Sequence, residues 1–216
     1  MRRVHAKLNA HPATVSYTPA GAAAPLSVTF DGFAVQLLVS SMTADPAGFA
    51  RVPLMYRALD NGDYQQVAPL LNGFRAQFAA FRGMPEAMDL ASGATAARLA
   101  LTNREAETSL LGDALNFPMP HVMGVRPQFD LGDDFRAPFR SDIPALFISG
   151  TLDGRTYPDE AAEETKGFSN RRRLIVENGG HNIYEADKRV ADAVVAFFKG
   201  EPTPETIVFA PPVIAK

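Results

Sequence analysis

The 216-residue sequence contains no cysteine, which excludes disulfides, thiolate metal sites and a cysteine nucleophile and leaves the redox compartment open. Charge of one sign is lacking too: 21 Lys and Arg stand against 24 Asp and Glu, a formal net charge of -3. That balance gives no electrostatic basis for binding nucleic acid or an anionic membrane. No segment approaches the roughly 18 consecutive apolar residues of a membrane span. Met1-Arg2-Arg3 carries the charge of a signal-peptide start, but no sustained apolar region follows in Val4 to His11, so the chain reads as soluble with its compartment undetermined. Neither Gly-x-Gly-x-x-Gly nor Gly-x-x-x-x-Gly-Lys occurs, and no cofactor is expected. His5, His11 and His121 have no carboxylate or histidine partner at ligand spacing, so no metal is expected.

One further absence concerns catalysis directly, because the chain has no Gly-x-Ser-x-Gly elbow. Ser92 precedes Gly93 but has Leu90 where the first glycine would stand. Ser149 precedes Gly150 inside an apolar run, and Ser169 follows Gly167-Phe168 but is succeeded by Asn170-Arg171. No nucleophile and no oxyanion hole are assigned on this basis.

What is present centres on Ile143 to His181. Ile143-Pro144-Ala145-Leu146-Phe147-Ile148 is a short apolar run that leads through Ser149-Gly150-Thr151-Leu152 to Asp153-Gly154, the pattern of a buried parallel strand with an aspartate at its carboxyl end. A helix is expected from Pro158 to Phe168, opened by Asp159 and Glu160 and closed by Lys166-Gly167 with glycine as a left-handed cap. Arg172 to Val176 then reads as a second strand running into Glu177-Asn178-Gly179-Gly180-His181. Strand, helix and strand make a crossover, which brings Asp153 and His181 to one edge of the sheet. An aspartate and a histidine so placed supply two members of a Ser-His-acid triad: the carboxylate fixes the imidazole tautomer and the imidazole takes a proton from a hydroxyl. Packing alone needs neither residue there.

The rest of the chain reads as scaffold, with one domain, or a small domain with a helical layer, as the size default. Residues 2 to 9 look helical, and 13–18 with 26–30 form a hairpin around Pro19 to Pro25. Short helices are expected from Phe33 to Arg82, broken at Asp45-Pro46, at Pro53 and at Asn61-Gly62-Asp63. The best of them aligns Val67, Leu70, Leu71, Phe74, Phe78 and Phe81 in one apolar stripe, which reads as core rather than as a cleft. Ala87 to Gly93 is expected as a short strand, Ala94 to Leu111 as helix, and Asn116 to Phe139 as a long ordered connection. A last helix, about 186–199, is expected to bury Val190, Val194, Phe197 and Phe198 and to end at Gly200. Arg171-Arg172-Arg173 has no aromatic platform and reads as solvated.

From Phe135-Arg136-Ala137-Pro138, through Ile143 to Asp153, to Asn178-Gly179-Gly180-His181, the sequence resembles the C-terminal end of an α/β-hydrolase, specifically the proline iminopeptidase and tripeptidyl aminopeptidase group. The resemblance implies an α/β class: the C-terminal half of an α/β-hydrolase fold, a few parallel strands with flanking helices, plus part of a mainly helical cap with a β-hairpin. Residues 1–84 would be the partial cap and 85–216 the hydrolase part. Such enzymes remove residues from peptide N-termini by acyl transfer to serine, with Asp153 matching the catalytic acid and His181 the general base. Their Gly-x-Ser-x-Gly and oxyanion loop precede the cap. The expectation is therefore a C-terminal portion, inactive alone, that acts on a peptide or a small ester or amide once an N-terminal half completes it, and that self-associates through an uncovered sheet. Two alternatives stand beside it: a non-catalytic peptide- or protein-binding module, and a self-contained enzyme using an unusual serine, Ser92 being the nearest.

Overall fold

The computed structural model describes residues 1–78 and 83–214. Its elements run α1 (Arg2–Ala10), β1 (Ala13–Tyr17), β2 (Leu26–Phe30), α2 (Gly32–Met42), α3 (Pro46–Asn61), α4 (Tyr64–Phe78), α5 (Met84–Ser92) and α6 (Ala96–Thr108). They continue with α7 (Met119–Val122), α8 (Gly132–Arg136), β3 (Ala145–Gly150), α9 (Pro158–Glu164), β4 (Arg171–Glu177), α10 (Ile183–Ala186), α11 (Lys188–Phe198) and β5 (Thr206–Val208). The chain divides into two compact units. One comprises Met1–Ser41 and Pro53–Ala137, the other Met42–Val52 and Pro138–Lys216.

In the first unit, β1 and β2 form the expected antiparallel hairpin, Ala13 opposite Phe30 and Tyr17 opposite Leu26. Helix α4 packs on it, with Val67, Ala68 and Leu71 buried and Phe30 against Tyr64 at 5.4 Å between ring centroids. The stripe is narrower than its spacing suggests, because Leu70 is exposed; Phe81 lies outside the described residues. Neither Pro53 nor Pro69 ends its helix. A proline inside a helix costs about 3 kcal/mol, and the buried Val52, Met55, Tyr56 and Leu59 around Pro53, each contributing roughly 1.5–3 kcal/mol on burial, outweigh it. Ala87 to Gly93 is not a strand. Pro85 near the helix start and Glu86 in the first turn favour α5, and its short apolar run carries no β-branched residue. Helix α6 starts where Thr95 accepts a hydrogen bond from the Arg98 amide.

The second unit is a three-stranded parallel sheet in the order β3-β4-β5. Ala145 pairs with Arg171 and Gly150 with Val176, so the two longer strands end together. The tail segment Thr206–Val208 joins as the third strand, Val176 opposite Ile207. Leu174 and Val176 on β4, Ile183, Val190 and Ala193 on α10 and α11, and Ile207 on β5 make the core, with Leu146, Ile148 and Phe209 packed against it. Phe198, expected inside, is 82% exposed. The buried residues Val190 and Ala193 set the inward stripe of α11, and Phe198 lies outside it. Helix α9 ends at Glu164 and passes into a 3-10 turn over Thr165–Gly167. Gly167 is not a left-handed cap; it is needed for closeness, since a Cβ there would lie 2.1 Å from the Phe139 carbonyl oxygen. Among the described residues no helix is long and apolar enough to cross a membrane.

Leu174→Ala is expected to destabilise the chain by about 2–5 kcal/mol in urea unfolding, the cost of a buried leucine and its cavity. Phe198→Ala should cost under about 0.5 kcal/mol. Equal losses for the two would contradict this packing of α11.

Candidate functional site

The site lies where β3 and β4 stop. The backbone ladder continues past the strands: the Thr151 amide donates to Val176 O at 3.0 Å, and the Leu152 amide to Gly179 O at 2.8 Å. Asn178 turns the chain with a positive φ of 61° and is held by its amide donating to Thr151 Oγ1 at 2.9 Å and its side chain donating to Phe209 O at 2.9 Å. These bonds bring the two loops so close that Gly150 has no space for a side chain: a Cβ there would lie 2.4 Å from Gly179 O.

Asp153 is 6% exposed. Its Oδ1 accepts from the Arg155 amide at 2.8 Å and the Thr156 amide at 3.1 Å, and its Oδ2 accepts from the Thr156 hydroxyl and from the His181 ring. The distance from His181 Nδ1 to Asp153 Oδ2 is 3.0 Å. The structure thus brings together the two residues singled out from the sequence. Burial opposes ionisation of Asp153, but the Thr156 hydroxyl, the amides of Arg155 and Thr156 and the His181 ring together hold its carboxyl below the ordinary aspartate range. The His181 side chain is 43% exposed, and with Nδ1 on the carboxylate, Nε2 has no partner among the described residues. That is the arrangement in which a carboxylate selects the Nδ1–H tautomer and leaves Nε2 to accept a proton.

Two contributors were invisible in the sequence. Thr156 shares the carboxylate with His181, its Oγ1 lying 3.4 Å from Nδ1. The other is the short connection between α2 and α3, about a hundred residues earlier in the chain. Thr43 O accepts from the Gly154 amide at 3.1 Å, and Ala44 O accepts from the His181 amide at 2.6 Å. Asp45 then caps α3, its Oδ1 accepting from the amides of Ala47 at 3.0 Å and Gly48 at 3.1 Å. This strap fits only against glycine: a Cβ on Gly180 would lie 2.6 Å from Pro46 Cδ and 2.8 Å from Ala44 O.

The three serines weighed from the sequence do not occupy an elbow. Ser92 closes helix α5 and donates back to Met88 O at 3.1 Å and Asp89 O at 3.3 Å. Ser149 is buried in β3 at 8% exposure, and Ser169 donates to Ser141 O at 3.3 Å. Elsewhere, His121 does have a carboxylate partner, with Nε2 2.6 Å from Asp113 Oδ2 and both side chains partly exposed; an eight-residue separation bridged by a turn is not a ligand spacing that periodicity would flag. Buried His5 bonds the Tyr56 hydroxyl through Nε2. Burial first, then the N-terminal ammonium and Arg2, push the His5 ring below its ordinary value, and burial pushes the Tyr56 phenol up. Among the described residues no three His, Asp or Glu side chains converge to hold a metal ion.

A family model described as TAP-like protein matches residues 129–207. The matched segment encloses β3, β4, Asp153 and His181 and is similar to the TAP-like C-terminal region of α/β-hydrolases. The parallel three-stranded sheet with its flanking helices is compatible with the C-terminal half of an α/β-hydrolase fold. No curated protein and no solved structure matches the chain.

Two measurements check the site's construction. Gly180→Ala should cost about 1–3 kcal/mol through overpacking against the strap and should speed amide exchange at Gly154 and His181; unchanged exchange would mean that the strap does not hold these loops. The second is a pH series. Because the folded Asp153 carboxyl lies below its ordinary range, its stabilising contribution is complete above the unfolded value near ~4 and is lost as the pH falls through the lower folded value. The melting temperature of Asp153→Asn should therefore fall short of wild type by a constant amount above about pH 5, and the gap should close on acidification. A gap that does not change with pH would contradict it.

Proposed function

We propose that Asp153 and His181 are the acid and base of a serine hydrolase of the proline iminopeptidase and tripeptidyl aminopeptidase type, acting on a peptide or a small ester or amide. The observation that carries this reading is the 3.0 Å bond from His181 Nδ1 to Asp153 Oδ2 at the carboxyl ends of adjacent parallel strands. In this chemistry His181 Nε2 takes the proton of a serine hydroxyl as that oxygen attacks the scissile carbonyl. The imidazolium, steadied by Asp153, then returns the proton to the leaving group. Water repeats the sequence to release the acyl group.

The hydroxyl comes from a separate segment carrying Gly-x-Ser-x-Gly. Supporting this, the hydroxyls of Ser92 and Ser169 are engaged with backbone carbonyls. β3, the strand that delivers the acid, is also an edge strand among the described residues, so its outer backbone groups are free to pair with another parallel strand. The same open edge supports self-association of the isolated chain.

The 216-residue chain alone should cleave aminoacyl and ester substrates no faster than a His181→Ala control, and should not label with a serine-reactive phosphonate. A Gly-x-Ser-x-Gly segment of an α/β-hydrolase, supplied as a fusion or a co-expressed chain, should restore both. Asp153→Asn should then lower turnover by about 10⁴-fold by holding the wrong tautomer. Labelling of the chain alone that disappears in Ser92→Ala would replace this reading with an unusual-serine enzyme. A fusion that folds, binds peptide and never turns over would favour the non-catalytic binding module.

A further inference from the structure

We propose that Thr156 is a positioning residue of this site, one whose hydroxyl fixes the Asp153 carboxylate in the plane that meets His181 and so selects the Nδ1–H imidazole. The inference rests on the assignment of Asp153 and His181 as acid and base. Its observations are independent of it. A carboxylate has about four acceptor positions, and all four of Asp153's are taken: two by the amides of Arg155 and Thr156 on Oδ1, and two by the Thr156 hydroxyl and the His181 ring on Oδ2.

The amides alone fix only one oxygen. Both come from the turn that Asp153 itself begins, a local arrangement common to loop aspartates. The second oxygen faces the partly exposed imidazole, and the Thr156 hydroxyl fills the acceptor position beside it that the amides leave open. That hydroxyl is itself well placed, because its own backbone amide is tied to Oδ1 at 3.1 Å and Tyr157-Pro158 starts α9 immediately after it. Since the hydroxyl proton is spent on Oδ2, the oxygen presents a lone pair toward Nδ1, 3.4 Å away. A ring nitrogen facing both a carboxylate oxygen and a hydroxyl lone pair must carry the proton. Both contacts therefore favour the same tautomer, the one that leaves Nε2 able to act as a base.

The test uses the ¹⁵N-labelled 216-residue chain and reads the imidazole nitrogen shifts of His181, at a pH where the ring is neutral, in wild type, Thr156→Val, Thr156→Ala, Thr156→Ser and Asp153→Asn. Wild type should be dominated by the Nδ1–H form. Thr156→Val should lower the ratio of Nδ1–H to Nε2–H about fivefold, the factor carried by one net hydrogen bond of average strength. Thr156→Ser should restore the ratio, and Thr156→Ala supplies the same comparison if the valine variant does not fold. An unchanged ratio in both Val and Ala variants overturns the proposal, even where the melting temperature falls, because a merely structural threonine would change stability and not the tautomer. Asp153→Asn separates the two levels of the argument. If it reverses the tautomer while Thr156→Val does not, only the Thr156 inference fails. A wild-type ring already in the Nε2–H form, with no response to Asp153→Asn, overturns the acid-base assignment and this inference with it.

Discussion

The parallel pairing of β3 with β4 is the constraint on which the site depends. Ala145 opposite Arg171 and Gly150 opposite Val176 set both strands to end at one level, and two further backbone bonds carry the alignment into the loops. A slip of one residue would turn Leu174 and Val176 out of the core and move Asp153 out of reach of His181. Those two side chains are completely buried, so the hydrophobic energy that holds the sheet together also holds the geometry of the Asp153–His181 pair. The pairing of Asp153 with His181 is a consequence of register, and register is a consequence of which face of β4 is apolar.

A second layer of control comes from far away in the chain. Carbonyls of Thr43 and Ala44 accept from the amides of Gly154 and His181, so the loop that bears Asp153 and the loop that bears His181 are both tied to one continuous strap. Asp45 ends the strap by capping a helix, which gives it a fixed exit. Close backbone approach requires small residues on the receiving side, and Gly150, Gly154 and Gly180 are each hemmed in by backbone or side-chain atoms within 2.8 Å of where a Cβ would sit. The glycines that flank Asp153 and His181 are accordingly there for space rather than for backbone freedom.

How far the sequence disclosed this architecture depended on how local each signal was. Asp153 and His181 were legible because a strand, a helix and a strand are contiguous, and the apolar runs of β3 and β4 mark both strand ends. The strap was not legible, since hydrogen bonds from backbone carbonyls leave no trace in residue type and the partners lie over a hundred positions apart. Thr156 was not legible for a related reason: a threonine in a turn is ordinary, and only the fold puts its hydroxyl on the same oxygen as the imidazole. Ala87 to Gly93 reads as a strand because a short apolar run carries little period, whereas Pro85 near the start of the helix Met84–Ser92 is the better indicator. Phe198 reads as core from its apolar side chain, but it lies off the inward stripe that Val190 and Ala193 define.

The Asp153–His181 pair is formed entirely by residues of this chain. Neutron diffraction of the deuterated 216-residue chain, at a pH well above the imidazole range, observes the proton directly. Deuterium is expected on His181 Nδ1, directed at Asp153 Oδ2, with Nε2 bare and facing solvent. Deuterium on Nε2 with a bare Nδ1, or a ring turned away from Asp153, would contradict it.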